Sequence, residues 1–197
     1  MDFASQNLTA GQLNAIVKKL GGEEGALKFL RGELLVSAAA PRDMTVWKTI
    51  KLGTCKSPDE YRKALKKAGR RIGDWGNDIL GKTDCAQEET EVDLVVLSVK
   101  ELGFENGAQY KDICAKGVEM GLELCHAEVG PALRLAYGDQ PRGEWLRIAM
   151  EAITDSDGNR DIFAVGHDID RLWLYGNYGH PESFWNADYR FVFLRRK

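Results

Sequence analysis

The spacing of apolar residues changes along this chain of 197 residues, from a helical period near the N-terminus to strict alternation near the C-terminus. Thr9 and Gln12 form a capping box, and apolar residues then recur at three- and four-residue intervals. Gly21, with the glycine after it, predicts the end of this helix. A second short helix is predicted over residues 23–31, and Ser37–Pro41 is predicted to be a connection.

The strongest helix start in the sequence is Ser57-Pro58-Asp59-Glu60, with a Ser cap, Pro at the first helical position and Glu at the third. One face of the helix that follows is apolar. We predict that the opposite face carries six cations: Arg62, Lys63, Lys66, Lys67, Arg70 and Arg71. The glycine-rich run at residues 69–76 is interpreted as the end of this helix, with Trp75 packed in the core.

The second half of the chain mixes short helices with strands. Helices are predicted from Asn106 to Gly121 and from Pro131 to Tyr137. Compact apolar runs and period-two alternation predict the strands Val92–Val99, Leu146–Ala152, Ile162–Val165, Leu172–Tyr175 and Tyr189–Leu194. Both faces of the last strand are apolar, so we expect it to be buried on both sides. The predicted fold class is α+β, with a helical N-terminal half followed by a mostly antiparallel sheet.

Length and composition indicate one soluble globular domain over residues 1–197, with a soft subdivision into a helical region (1–85) and an α+β sheet region (90–197). The net charge of −3 gives no global reason to expect nucleic acid or an anionic membrane as a partner. No apolar run approaches membrane-spanning length, and the N-terminus lacks the pattern of a signal peptide. The expected location is therefore cytoplasmic, while the oligomeric state stays open.

No motif in the sequence names a chemistry. The four cysteines are widely spaced, and neither a nucleophile elbow nor a phosphate-binding loop occurs. We therefore predict no cofactor, and an enzyme is less favoured than a binding protein. A metal-dependent enzyme built around His126, His167 and His180 is one alternative, although no two of them have the spacing of a metallohydrolase motif.

The predicted basic helix face suggests another alternative, a nucleic-acid-associated regulatory protein. Six cations without an interleaved acid could bind phosphate groups, with an affinity that falls as salt rises. Aromatic residues, on which single-stranded nucleic acids stack, are missing from this stripe. The competing interpretation is a solvated helix face flanked by acids.

Aromatic residues are concentrated near the C-terminus, where eight of the eighteen fall between Trp173 and Phe193. The segment Tyr175–Asp188 lacks any period and contains two glycines and a proline, so we predict a surface loop. Exposed aromatic and Asn side chains in one loop are typical of a binding surface. The predicted ligand-binding residues are Tyr175, Asn177, Tyr178, His180, Ser183, Phe184, Trp185, Asn186 and Asp188. For Trp185, burial as a plug at the end of the sheet is an equal alternative.

The C-terminal end of the chain contains Trp173, Asn177, Pro181, Trp185-Asn186 and the closing Arg190-Phe-Val-Phe193. These residues together resemble the C-terminal variable region of proteins diversified by retroelements. This resemblance covers about the last fifty residues and implies a C-type-lectin-like fold there. In that family, adenine-directed mutagenesis places a restricted set of residue types at ligand-facing positions. The residues here that belong to the set are Tyr175, Asn177, Tyr178, His180, Ser183, Phe184, Asn186, Asp188 and Tyr189. The family's Gly-Gly-Ser-Trp entry is replaced by Asp170-Arg-Leu-Trp173.

The favoured hypothesis is therefore a non-enzymatic binding protein. A sheet-based scaffold would present the segment Tyr175–Asp188 to a protein or a glycan.

Overall fold

The computed structural model describes residues 9–33 and 44–196. They belong to two compact units, one within the first 40 residues and the other from Pro41 onward. The first unit contains the helices α1 (Ala10–Lys19) and α2 (Gly22–Leu30). The capping box is confirmed, because Gln12 N–H donates to Thr9 Oγ1 over 3.3 Å and Thr9 N–H donates to Gln12 Oε1 over 2.8 Å. The connection predicted over Ser37–Pro41 lies outside the described residues.

The second unit contains both helices and a large sheet, which confirms the α+β class. Its helices are α3 (Pro58–Lys67), α4 (Asp74–Gly81), α5 (Tyr110–Glu119) and α6 (Val129–Ala136). Its strands are β1 (Lys48–Leu52), β2 (Arg71–Ile72), β3 (Thr90–Ser98), β4 (Ala108–Gln109), β5 (Leu122–Glu123), β6 (Trp145–Ile148), β7 (Ile153–Thr154), β8 (Arg160–Asp168), β9 (Arg171–Tyr178), β10 (Phe184–Trp185) and β11 (Arg190–Arg195).

The main sheet has the strand order β1-β3-β11-β6-β8-β9-β2, with β5 paired to β11 and β7 paired to β8. Neighbouring strands are antiparallel except β11 with β6 and β2 with β9, which are parallel. A separate antiparallel pair joins β4 to β10. Strands β1 and β2 lie in the region predicted to be helical (1–85), and they join the same sheet as strands from residues 90–197.

Strand β11 lies between β3 and β6 and is buried on both faces, as its apolar sequence predicts. Phe191 and Phe193 point to one face, where the ring of Phe193 lies against Gly117 of α5. Phe163 of β8 points to the opposite face and lies against Gly130 of α6. Glycine is needed at both helix positions because a Cβ atom would come within 2.5 Å of the ring. Helices therefore cover the two faces of the sheet at its centre.

The predicted basic helix is shorter than the sequence suggested. Helix α3 ends at Lys67, because Gly69 adopts φ +69° and Arg70 N–H bonds back to the Leu65 carbonyl over 2.9 Å. Arg70 and Arg71 thus lie beyond the helix, and Arg71 begins β2. The prediction that Trp75 is a core residue is also wrong, since Trp75 lies in the first turn of α4 and is 44% exposed.

The predicted loop Tyr175–Asp188 is wrong over part of its length. Residues 175–178 continue β9, because they pair with residues 161–164 of β8, and residues 184–185 form β10. Other boundaries differ by a few residues: α5 begins at Tyr110 rather than Asn106, because residues 108–109 pair with β10. Residues 155–159 form a turn, with Asp155 accepting hydrogen bonds from the backbone of Asp157 and Asn159. In the described part of the chain, no helix combines the length and the apolar character needed to cross a membrane.

Candidate functional site

The aromatic residues of β9 contact aromatic rings from two other segments, α4 and β6. Tyr175 lies at the centre, with ring-centre distances of 5.9 Å to Trp145, 6.4 Å to Trp173 and 6.5 Å to Trp75. Tyr178 joins through Trp75, at 6.2 Å. The three contacts of Tyr175 are edge-to-face, an arrangement that aromatic pairs prefer. We refer to these five residues as the aromatic surface: Trp75, Trp145, Trp173, Tyr175 and Tyr178.

Strand pairing explains how Trp145 reaches the aromatic surface. Trp145 of β6 is opposite Gly166 of β8, which is opposite Trp173 of β9. Directly opposed residues point to the same face of a sheet, so both tryptophans lie on one face with Gly166 between them. A Cβ at Gly166 would come within 2.4 Å of the Trp145 ring, so the indole lies against the backbone there.

Close backbone packing brings Trp75 to the same place. Gly73 N–H donates to the Leu174 carbonyl over 3.0 Å, which joins the start of α4 to β9. A Cβ at Gly73 would come within 2.6 Å of the Tyr175 ring, and one at Gly76 would come within 3.0 Å of the β9 backbone. These two glycines therefore let the first turn of α4, which carries Trp75, lie directly against β9.

Much of the aromatic surface faces solvent. Tyr178 is 59% exposed and Tyr175 is 36% exposed, while Trp145 and Trp173 are half-buried. Among the described residues, neither phenol hydroxyl and none of the three indole N–H groups has a hydrogen-bond partner, and the Asn177 side chain has none either. A set of rings with unpaired polar tips can bind apolar area and hydrogen-bond a ligand simultaneously.

The structure divides the nine residues predicted to bind a ligand. Tyr175, Asn177 and Tyr178 belong to β9 at the aromatic surface, and His180 follows it as an exposed residue. Ser183, Asn186 and Asp188 are half-buried or exposed in the turns around β10. Phe184 is exposed but contacts Gly107 rather than the aromatic surface. Trp185 is buried against Phe191 and Tyr189, so for this residue the plug interpretation holds.

Arg147 lies on the same face of the sheet as Trp145, Trp173 and Tyr175 of the aromatic surface. It is opposite Ala164 of β8, which is opposite Tyr175 of β9. Its guanidinium carbon is 4.3 Å from the centre of the Tyr189 ring and 5.5 Å from that of Trp185. Its one hydrogen bond to another described residue runs from Nη1 to the Trp145 carbonyl over 3.1 Å. Burial is the main cause that lowers the pKa of Arg147, and nearby Tyr189 and Asp188 partly oppose it.

The six cations of the predicted basic stripe do not form one surface. Arg62 is engaged, because it donates to Asp59 Oδ1 over 2.8 Å and to Asn77 Oδ1 over 2.7 Å. Arg70 is half-buried and Arg71 lies in β2. Lys63, Lys66 and Lys67 are exposed on α3, and none of them forms an ion pair within the described part of the chain.

The three histidines are placed separately. His126 follows β5, His167 lies in β8 with Nδ1 2.5 Å from the Gln140 carbonyl oxygen, and the exposed His180 accepts a hydrogen bond from Glu182 N–H. Over residues 9–33 and 44–196, no three His, Cys, Asp or Glu side chains are grouped so that they could hold a metal ion. The metal-enzyme alternative therefore has no assembled site in these ranges.

Buried thiols offer no activated nucleophile. All four cysteines are free, and burial raises the pKa of Cys85 and of Cys114 to about 11. Burial also raises the pKa of Cys55 and Cys125. A reactive cysteine needs the opposite shift, toward the thiolate.

Sequence reasoning missed Trp75, Trp145 and Arg147 as members of this region. Period-two alternation places Trp145 and Arg147 on one face of β6, but no local pattern in the sequence predicts that β6 lies two strands from β9. For Trp75 the available signal was its position between Gly73 and Gly76, which we interpreted as core packing. Comparisons of the chain with protein-family models, with curated proteins and with solved structures found no match.

Proposed function

We propose that this protein is a non-enzymatic binding protein that holds a protein or a glycan on its aromatic surface. The observation that carries this proposal is the contact of five partly exposed rings from three separate segments, all centred on Tyr175. Tryptophan and tyrosine contribute most of the binding energy at many interfaces, because they bury a large area at a small cost in conformational entropy.

The experiment compares two exposed aromatic residues that differ in position. Wild type, Tyr178→Ala and Phe184→Ala are screened against an array of immobilised glycans and proteins. We expect Tyr178→Ala to weaken binding to the recognised member about tenfold or more, because Tyr178 is the most exposed ring of the aromatic surface. Phe184→Ala, which removes a ring of similar exposure outside the aromatic surface, should bind as wild type. Equal binding by all three proteins would overturn the proposal.

We further propose that the C-terminal region has been diversified by a retroelement on a lectin-like scaffold. The nine residues that belong to the family's substitution set support this, because none of them is buried (Tyr175, Asn177, Tyr178, His180, Ser183, Phe184, Asn186, Asp188 and Tyr189). The coding locus should then contain a reverse transcriptase gene and an adenine-rich near-copy of this segment. A locus with neither would remove the diversification proposal and leave a fixed binding surface.

A second candidate function, nucleic-acid association through α3, is favoured only by its exposed and unpaired lysines. Wild type and the double variant Lys66→Glu with Lys67→Glu are compared for binding to duplex and single-stranded oligonucleotides over a range of salt concentrations. This candidate requires wild-type affinity that falls with salt and is lost in the double variant. Absence of binding at low salt would dismiss it.

A further inference from the structure

Three arginines of the sheet unit have a buried Nε atom without a hydrogen-bond partner: Arg70, Arg134 and Arg147. Arg134 is otherwise fully engaged. Its terminal nitrogens donate to Gln140 Oε1 and to the carbonyl oxygens of Gly166 and Tyr137, which ties the end of α6 to β8. Arg147 has only its bond to the Trp145 carbonyl and remains partly open to solvent. The side chain of Arg70 has no hydrogen bond to another described residue, but its guanidinium lies against Gly138, which follows α6. Of the three arginines, Arg147 is the one beside the aromatic surface.

The charge of Arg147 is also not neutralised. Within the described residues no carboxylate forms an ion pair with it, although Asp188 is close enough to affect its pKa. Glu144, three residues earlier in the chain, lies on the opposite face by alternation and is already engaged by Arg190 over 2.6 Å and by the Tyr137 hydroxyl over 2.7 Å. A half-desolvated cation without a partner is costly, and contacts with two rings recover only part of that cost. An anionic group from outside would complete the site.

The strand register places Arg147 within reach of a ligand on the aromatic surface. Tyr175, Ala164 and Arg147 form one row across three neighbouring strands. The outer two backbones are about 10 Å apart, which is two strand spacings. The residue between them has only a methyl side chain. A group above Ala164 can therefore contact the Tyr175 ring on one side and the Arg147 guanidinium on the other.

The N–H and O–H groups at the ends of the aromatic side chains indicate what kind of ligand fits. Three indole N–H groups, two phenol hydroxyls, the Asn177 amide and Arg147 all have free donors, so the ligand should be rich in acceptors. It should also have apolar faces for the rings. An extended peptide cannot add a strand here, because Gly73 N–H already occupies the Leu174 carbonyl and α4 covers the next residues of β9. A saccharide presents apolar C–H faces and many oxygen acceptors, and it needs no free strand edge.

The charges around the aromatic surface argue against a polyphosphate. Arg171 is paired with Asp170 over 3.6 Å, and Asp74 begins the helix that carries Trp75. A nucleic-acid backbone requires several unopposed cations in a row. Two arginines without an ion pair in the described residues lie beside the rings, Arg147 and the exposed Arg71, which is opposite Trp173 on β2. They stand singly at two sides of the rings rather than in a row, which matches a ligand with isolated negative charges.

We propose that Arg147 binds the carboxylate of an acidic saccharide whose ring stacks on the aromatic surface. This inference rests on the proposed function and specifies its ligand class. Arg147 donates from Nη2 to a carboxylate oxygen, because Nε is buried and Nη1 bonds to the Trp145 carbonyl, while Tyr189 and Trp185 hold the guanidinium plane in position. The rings provide the contact area, and Arg147 provides the selectivity for an acid.

The test uses a panel of uronic-acid and sialic-acid oligosaccharides, each beside its carboxyl-reduced form, which differs only in the charge. Wild type should bind at least one acidic member about tenfold or more tightly than its reduced form, as expected for a charge-assisted hydrogen bond. Arg147→Met should lose that difference and bind both forms equally. Arg196→Met removes an exposed arginine that pairs with Glu123 at the far end of β11, and it should behave as wild type.

Thermal unfolding separates this role from a structural one. Methionine keeps the length of the side chain without its unpaired charge, so Arg147→Met should melt at the same temperature as wild type or higher. A structural arginine would instead give a lower melting temperature together with weaker binding of both forms. That result would overturn the proposal.

The remaining outcomes are also decisive. No binding to any acidic saccharide at millimolar concentration overturns the inference, and so does an Arg147-dependent affinity for an acidic peptide or a single-stranded oligonucleotide included in the panel. If Tyr178→Ala weakens binding to a neutral glycan or a protein while Arg147→Met does not, the proposed function stands and only the inference about Arg147 fails. If neither variant changes the binding of any member, both fail.

Discussion

One face of the main sheet has two parts that use aromatic residues differently. Near β11, the rings of Phe191 and Phe193 are fully buried beneath α5, Tyr110 and Trp185. Near β9, the rings of Trp145, Trp173 and Tyr175 lie over Ala164 and Gly166, and among the helices α3–α6 none buries them. We call these the covered part and the open part of the face. The same alternation of side chains thus gives a core in one place and a surface in the other, depending on whether a helix lies above.

The two parts also differ in how completely their charged and polar groups are satisfied. Across the sheet, the buried Glu128 accepts hydrogen bonds from Gly53 N–H, Ala86 N–H and the Tyr61 hydroxyl, at 2.7–2.8 Å. At the open part, Arg147 has no acid partner, and the polar tips of Trp145, Trp173 and Tyr175 have no hydrogen-bond partner, within the described residues. Regions selected for stability satisfy their polar groups, whereas binding sites keep groups free at some cost in stability. The predictions below test whether the open part carries that cost.

The largest expected difference is between two aromatic truncations. Phe191→Ala should lower the free energy of unfolding by about 3–5 kcal/mol, because it leaves a cavity between β11 and α5. Tyr175→Ala, on the same face, should lower it by only about 1 kcal/mol, because its ring is already partly exposed. Chemical denaturation of both variants gives the two values. Similar losses would mean that the open part is a core region and that the comparison is wrong.

A matched pair of glycines provides a finer test. A Cβ would come within 2.3 Å of the Phe193 ring at Gly117 and within 2.4 Å of the Trp145 ring at Gly166. Gly117→Val should cost about 3 kcal/mol, because Phe193 is enclosed and cannot move aside. Gly166→Val should cost about 1 kcal/mol, because the half-buried Trp145 can turn toward solvent.

The same pair has a second readout. Gly166→Val should also weaken ligand binding, since a displaced Trp145 no longer contacts Tyr175, and it should change the tryptophan fluorescence. Gly117→Val should leave binding unchanged in the fraction that folds. Equal stability losses in the two variants would show that Trp145 is as confined as Phe193.

The sequence alone was sufficient to predict that β11 is buried, but it was insufficient to predict which residues meet at the open part. The reason is physical. Two apolar faces on one strand can only be satisfied by burial on both sides, so Phe191 and Phe193 were predicted correctly without knowledge of their neighbours. The aromatic surface depends on the pairing of β6 with β8 and of β8 with β9. Such pairing is long-range and leaves no mark in the local pattern.

Backbone contacts account for the remaining errors. The run from Gly69 to Gly76 correctly indicated a helix end and close packing. However, the close approach is made by the backbone of Gly73 and Gly76 against β9, and this turns Trp75 outward. The strand character of residues 175–178 was missed similarly, because Gly176 resembled a loop glycine. Its actual role is to admit α4, since a Cβ there would come within 2.8 Å of Trp75 Cβ.

The smallest expected effect concerns Asp161, which pairs with Tyr178 in the register of β8 and β9. Burial raises the pKa of this carboxyl to about 6 from 3.8, and the nearby Asp155 and Asp78 add to the shift. Because the folded protein holds this proton more tightly than the unfolded chain does, the stability that Asp161 contributes is fully present below about pH 4. It is lost as the pH rises through about 6.

Asp161→Asn should therefore raise the melting temperature at pH 7 by about 2–4 °C, a modest amount because solvent screens part of the repulsion. The gain should disappear at pH 4, where Asp161 is protonated in the wild type as well. Thermal melts of both proteins across this range measure the difference. Asp157→Asn, at an exposed position in the neighbouring turn, serves as a control and should not show this pH-dependent gain. A lower melting temperature for Asp161→Asn at pH 7 would mean that the ionised carboxylate stabilises this end of the sheet.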